Sequence, residues 1–169
     1  LAIPIAGRIG KKNTFLLSGL VCAFLSILFF FIPPDQIVLM FLINQFIGMS
    51  SSIVFPLIWS IYGDISDYSE WKTGRRATGL IFSSSSMSQK LGWTIGGAIS
   101  GWTLSAFGFV ANEIQTDESI MGIRLMITFF AAAGALLSVA FMYYYPLSEK
   151  YISEIKEELE KNRSKTKSK

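Results

Sequence analysis

The chain has 169 residues, of which 51% are hydrophobic and only 16% charged, whereas soluble domains have about 25% charged residues. Its apolar residues form long blocks, which indicate an integral membrane protein, and its net charge of +3 does not indicate nucleic-acid binding because the bases lie beside those blocks. The chain has no histidine and one cysteine, Cys22, which excludes imidazole-based catalysis and a disulfide within the chain.

Four apolar blocks are each long enough to cross a bilayer, which takes roughly 20 residues in a helix. The opening LAIPIAG resembles the end of an earlier span, so we expect a fragment that begins inside a membrane helix. Within lipid, the backbone polar groups of such blocks are satisfied by helical hydrogen bonds. The sequence therefore predicts an all-α membrane region, residues 1–145, with spans at residues 13–32, 37–62, 80–107 and 121–145.

Basic residues occur in alternate connecting segments. They are present before the first span, between the second and third, and after the fourth, and the short turn at residues 33–36 has none. The positive-inside rule places the basic segments in the cytoplasm. Residues 1–12, residues 63–77 and the C-terminal tail are thus predicted to be cytoplasmic in a multi-pass protein.

Residues 146–169 have a different character from the spans. Tyr151, Ile155 and Leu159 recur every fourth residue opposite a charged face, which predicts an amphipathic cytoplasmic helix packed on the bundle. The final residues RSKTKSK are basic and are expected to be disordered or to touch anionic lipid.

The stretch YGDISDYSEWKTGRRATG, residues 62–79, concentrates charge between two apolar blocks. Asp64 and Asp67 follow the second span, and at a helix C-terminus the macrodipole disfavours each carboxylate by roughly 0.3–1 kcal/mol. Basic partners are therefore expected: Lys72, Arg75 and Arg76 lie within a short loop's reach, and Gly74 supplies the tight turn. Two interpretations remain open, a solvated loop of weak pairs or a charge network that holds one conformation of a moving bundle.

Lys90 lies about a third of the way into the third span. A base near the membrane centre costs at least ~2.5 kcal/mol and usually faces a cavity, although snorkelling to the headgroups is the alternative. The neighbouring face carries further polar and then small residues: Ser83, Ser86, Thr94, Gly97 and Gly101. Gly92 with Gly96, and Gly97 with Gly101, form two GxxxG pairs that favour close helix packing. Ser83, Ser86, Lys90 and Thr94 are the candidate cavity residues, and no metal site is predicted.

Three segments together resemble one family of transporters. GDISDYSEWKTGRRATGLIFS, SQKLGWTIGGAISGWTLSAFGF and MGIRLMI resemble the C-terminal half of the glycoside–pentoside–hexuronide:cation symporters, the melibiose-permease-like branch of the major facilitator superfamily. The most specific part is D-x-x-D-Y-x-E-x-K-T-G-x-R followed by K-x-G-x-x-x-G-G. Many members have Glu where this chain has Thr78, which leaves open which residues of the charged segment pair with one another.

The resemblance implies the last four of twelve helices in a bacterial inner-membrane transporter. It implies alternating access in which a sugar or glycoside crosses with Na⁺ or H⁺, no other cofactor, and a coupling cation bound in the N-terminal half of the same transporter. Lys90 would face the central cavity. The cytoplasmic gate would be formed by charged residues of one segment: Asp64, Asp67, Glu70, Lys72, Arg75 and Arg76.

Two other classes of function are alternatives to symport. A drug exporter fits the topology but lacks the D-x-x-D-Y segment. A membrane enzyme or receptor would need catalytic acids, histidines or a ligand domain, and the sequence shows none of these.

Overall fold

The computed structural model describes residues 2–167, with side chains described for residues 6–164. The described residues form seven α-helices and no strand. In chain order they are α1 (Ala2–Ile9), α2 (Lys11–Phe30), α3 (Ile37–Thr73), α4 (Thr78–Ala106), α5 (Asp117–Leu125), α6 (Ala131–Tyr143) and α7 (Glu149–Lys167), and a π-helical segment, Met126–Phe130, joins α5 to α6.

Three helices are long and apolar enough to cross a membrane: Lys11–Phe30, Ile37–Thr73 and the continuous Asp117–Tyr143. The chain is therefore a multi-pass membrane protein. The third predicted span corresponds to α4, whose 29 residues would extend about 43 Å. Its serines and glycines make it less apolar than the other three, so four crossings stay a prediction.

Helix α3 is much longer than its predicted span. Its 37 residues extend about 55 Å, whereas the hydrocarbon core is about 30 Å thick. The prediction of a loop at residues 63–77 is therefore wrong, because residues 63–73 continue the helix. The helix ends at Gly74, whose φ of 69° and N–H bond to the Glu70 carbonyl at 2.8 Å form a left-handed cap that glycine accommodates best.

Helix α2 packs against both α3 and α6. Its buried residues are small or polar except for Phe15, and they include Ser18, Ala23 and Ser26. The two helices α2 and α6 lie close together at Gly19, where an added Cβ would lie 2.4 Å from Cγ2 of Val139. Small residues at such a contact let two membrane helices approach closely.

A base caps a helix end on each side of the α2–α6 pair. Lys12 Nζ donates to the carbonyls of Tyr143 and Tyr145, at 2.9 and 2.6 Å, where α6 ends. Arg124 donates to the carbonyls of Phe30 and Ile32, at 2.6 and 2.8 Å, where α2 ends. These bonds satisfy carbonyls that have no partner within their own helix.

Helix α7 packs against the end of α3. Its buried residues are Ile152, Ile155 and Leu159, which form a cluster with Leu147. The predicted stripe is thus confirmed at two positions, whereas Tyr151 lies at its edge with 36% exposed. The helix continues to Lys167 although the sequence predicts disorder from Arg163, and residues 168 and 169 lie outside the described part.

Candidate functional site

The most buried acid of the chain lies on the part of α3 that extends past the apolar block. The side chain of Asp64 is only 7% exposed. Lys11 Nζ contacts its Oδ2, and Lys156 Nζ donates to its Oδ1 at 2.7 Å. A carboxylate this buried requires charged partners, and here they come from α2 and α7.

Two further acids follow on the same helix, one turn apart. Asp67 lies 3.4 Å from Arg76 and 3.9 Å from Lys156. Glu70 lies 3.7 Å from Arg76 and accepts two hydrogen bonds from Arg163, at 3.2 and 2.6 Å. The hydrogen bond to Glu70, and then its negative charge, raise the pKa of the Arg163 guanidinium above its usual value.

These contacts define a charge cluster in which three acids of α3 share four bases: Asp64, Asp67 and Glu70 with Lys11, Arg76, Lys156 and Arg163. The helix dipole disfavours acids at the end of α3, and the shared bases offset that cost. The cluster joins four segments: the start of α2, the end of α3, the turn before α4, and α7.

The structure brings together only part of the predicted network. Asp64, Asp67, Glu70 and Arg76 join it. Lys72 instead lies over the ring of Tyr68, 5.7 Å from its centroid. Arg75 makes only backbone contacts with the Thr73 hydroxyl among the described side chains. Neither forms an ion pair with a described residue.

Sequence reasoning missed three of the four bases in the charge cluster, namely Lys11, Lys156 and Arg163. A signal was available, because the positive-inside rule assigned their segments to the side that carries Asp64. Lys156 and Arg163 are also seven residues apart, which places them on one face of α7.

Aromatic side chains line the same contact between α3 and α7. The Trp71 indole N–H donates to Glu158 Oε2 at 2.6 Å. The Tyr151 ring lies 6.4 Å from that of Tyr68 and 6.2 Å from that of Trp71. The docking of α7 therefore rests on apolar, aromatic and ionic contacts together.

The predicted cavity residues lie on the exposed helix α4. Lys90 is exposed and has no ion pair with any described residue. The hydroxyls of Ser83, Ser86 and Thr94 donate to backbone carbonyls of their own helix. The described chain thus places no second helix over this face, and the cavity role stays a prediction.

The glycine pairs on α4 have equally open surroundings. No described atom lies within 4 Å of a Cβ built at Gly92, Gly96, Gly97 or Gly101. Close packing at these positions therefore stays a prediction. Among the described residues, no group of three or more Cys, Asp or Glu side chains is arranged to hold a metal ion.

Comparison with known proteins gives a match over most of the chain. The profile of the family described as "MFS/sugar transport protein" matches residues 1–149. A "Glucuronide carrier protein homolog" of Escherichia coli (strain K12) is 34% identical over 95% of this chain and 35% of its own length. An "Inner membrane symporter" of the same organism is 32% identical over 94% of this chain and 35% of its own length.

A third relative comes from another organism. The "Isoprimeverose transporter" of Lactiplantibacillus pentosus is 33% identical over 85% of this chain and 30% of its own length. The chain therefore spans about a third of the length of these relatives. No solved structure gives a significant match.

Proposed function

The chain belongs to the MFS/sugar transport family, and on that premise we propose that it forms part of a secondary transporter that moves a sugar or glycoside together with Na⁺ or H⁺. The match over residues 1–149 carries this proposal. The names of the relatives, a carrier, a symporter and a transporter, support it. The family is one of transporters rather than enzymes.

The proposed arrangement places this chain in the second half of a twelve-helix protein in a bacterial inner membrane. Helices α2, α3, α4 and the continuous α5–α6 are then the last four spans, with the charge cluster and α7 in the cytoplasm. The positive-inside rule supports a cytoplasmic position for these segments. They carry the bases Lys11, Lys12, Arg75 and Arg76 and those of α7. The N-terminal half of the transporter supplies the coupling-cation site.

Transport is tested with the full-length protein in proteoliposomes. Labelled glucuronides, pentosides and hexosides are offered under an inward Na⁺ gradient, an inward H⁺ gradient, or neither. We expect accumulation of at least one sugar under one of the two gradients only. Equal, gradient-independent equilibration of every sugar would contradict symport.

We assign the charge cluster to the inner gate of this transporter. Alternating access requires contacts that form in one state and break in the other. The cluster suits this role because its partners lie on separate segments and Arg76 and Lys156 each serve two acids. Because neighbouring acids share a base, movement of that base breaks both of its ion pairs together.

Neutralising one member of the charge cluster tests the gate. For Asp67→Asn and Arg76→Gln we expect normal insertion and increased labelling of cysteines placed on the cytoplasmic side of the cavity. Glu157→Gln is the control, because Glu157 is exposed on α7 and forms no ion pair with a described residue. Unchanged transport and unchanged labelling in both variants would refute the gate assignment.

We assign Lys90 to the sugar cavity. A charged group at this depth in α4 is costly unless it faces a cavity or a partner. For Lys90→Ala we expect lost or strongly reduced sugar uptake at normal expression, whereas Lys161→Ala on the exposed side of α7 should transport normally. Full uptake by Lys90→Ala would remove Lys90 from the site.

A further inference from the structure

A second polar site lies beside the charge cluster, where the turn between α1 and α2 meets the segment between α6 and α7. A cavity of about 540 Å³ opens there. Three bases and one acid line it together with two neutral polar side chains: Arg8, Lys12, Lys150, Glu149, Asn13 and Ser148. Together these residues form the basic pocket.

Only part of the positive charge of the basic pocket is bound by groups of the described chain. Glu149 Oε1 accepts the backbone N–H of Lys11 at 2.7 Å. Lys12 Nζ is held by two carbonyls at the end of α6. Arg8 and Lys150 are exposed and form no hydrogen bond or ion pair through their side chains to any residue that the structure describes. Two cationic groups therefore remain available to an anion.

The basic pocket lies at the depth of lipid headgroups. Two membrane-spanning helices end there, since α2 begins at Lys11 and α6 ends at Tyr143. Tyr143 and Tyr144 are 68% and 81% exposed at the same level. Exposed tyrosines at the end of a span are typical of the boundary between hydrocarbon and headgroups.

An exposed apolar stripe leads from the basic pocket into the membrane. Asn13, Leu17, Leu20 and Phe24 follow one another at spacings of three or four residues, which places them on one face of α2. Asn13 lines the pocket. The other three are 53%, 49% and 66% exposed. A ligand whose charged group occupies the pocket can therefore lay an apolar chain along this face.

We propose that the basic pocket binds the phosphate of an anionic phospholipid, cardiolipin or phosphatidylglycerol. The Arg8 guanidinium offers paired donors to phosphate oxygens, and Lys150 offers a second positive charge. The lipid's acyl chains lie along Leu17, Leu20 and Phe24. Free inorganic phosphate would meet the same cations, but it has nothing to place on the apolar stripe. This site is independent of sugar transport.

The test uses the full-length protein, delipidated in a neutral detergent, and native mass spectrometry with added cardiolipin, phosphatidylglycerol or phosphatidylcholine. The variant Arg8→Gln/Lys150→Gln removes both available cations. We expect this variant to bind the two anionic lipids at least about tenfold more weakly than the wild type. Each base near a membrane surface strengthens such binding several-fold, and the variant lacks two. Phosphatidylcholine binding should not change.

Two matched variants keep the result interpretable. Arg75→Gln/Lys161→Gln removes the same charges outside the basic pocket and should bind anionic lipid like the wild type. Arg8→Lys/Lys150→Arg keeps both charges and should also retain binding. Equal weakening of anionic-lipid binding in the two glutamine variants would refute the basic pocket as the binding site. Displacement of bound lipid by an equal concentration of inorganic phosphate would refute the proposal that the ligand of the pocket is a lipid.

Discussion

Replacing Asp64 with asparagine removes the negative charge that Lys11 and Lys156 share. A hydrogen bond to a charged group contributes roughly 1.5–3 kcal/mol when protected from water. Lys156 is 44% exposed, so screening lowers its share toward about 1 kcal/mol or less. Lys11 is 22% exposed and keeps more of its share, while the asparagine carbonyl can still accept one bond. The expected net loss is about 2 kcal/mol, of which about 1 kcal/mol, or roughly fivefold in an opening equilibrium, belongs to the contact with α7.

The share lost with Lys156 should be local to α7, because that contact holds α7 to α3, whereas Lys11 belongs to α2. Amide hydrogen exchange of the purified full-length protein measures it residue by residue. In Asp64→Asn, the amides of α7 should exchange about fivefold faster, while those of α6, and of α2 beyond its first turn, keep wild-type rates. Glu157→Gln removes an acid from α7 itself and should leave exchange unchanged. Unaltered α7 exchange in Asp64→Asn would show that the buried ion pairs do not hold the helix in place.

Three further substitutions probe the packing of the bundle, each measured by thermal unfolding of the full-length protein in detergent. Gly19→Ala should destabilise by roughly 1–3 kcal/mol, because the added methyl meets Val139 at 2.4 Å. Val139→Ala should relieve part of that loss, and Gly48→Ala, in open space, should not destabilise. Arg124→Gln should cost about 2 kcal/mol, since it weakens the cap of α2, and a wild-type midpoint would contradict that role. Tyr145→Phe should be neutral or stabilising, because the buried hydroxyl has no hydrogen-bond partner among the described residues; a clear loss would reveal one.

The periodicity of the sequence predicted most helices because apolar length is a local property. The spans predicted at residues 13–32 and 80–107 differ from α2 and α4 by one or two residues at each end. The end of α3 was missed for a physical reason. Residues 63–73 are polar, and a polar segment forms a stable helix only where another element covers one of its faces. That cover is α7, which lies about 80 residues further along the chain.

The charge cluster was predictable in its acids and only partly in its bases. Asp64 and Asp67 were recognised because acids at a helix C-terminus need compensation, which is a local argument. Tertiary packing, not local sequence, decides that the acids pair with Lys11 and Lys156 and not with Lys72 and Arg75. A carboxylate on the face of α3 that packs against α7 meets the bases of α7, whereas Lys72 lies over the Tyr68 ring at the end of α3 and Arg75 is exposed in the turn.

The α2–α6 pair and the charge cluster are held in different ways, and the difference bears on movement. The α2–α6 contact depends on a glycine against a valine and on bases bound to backbone carbonyls, and close packing of this kind has low compressibility. The charge cluster instead uses side chains that are mostly 18–51% exposed, whose pairs contribute about 1 kcal/mol or less each. It can therefore separate without disturbing α2 and α6. This combination of a fixed helix pair and a separable ionic contact is what a gate on a rigid bundle requires.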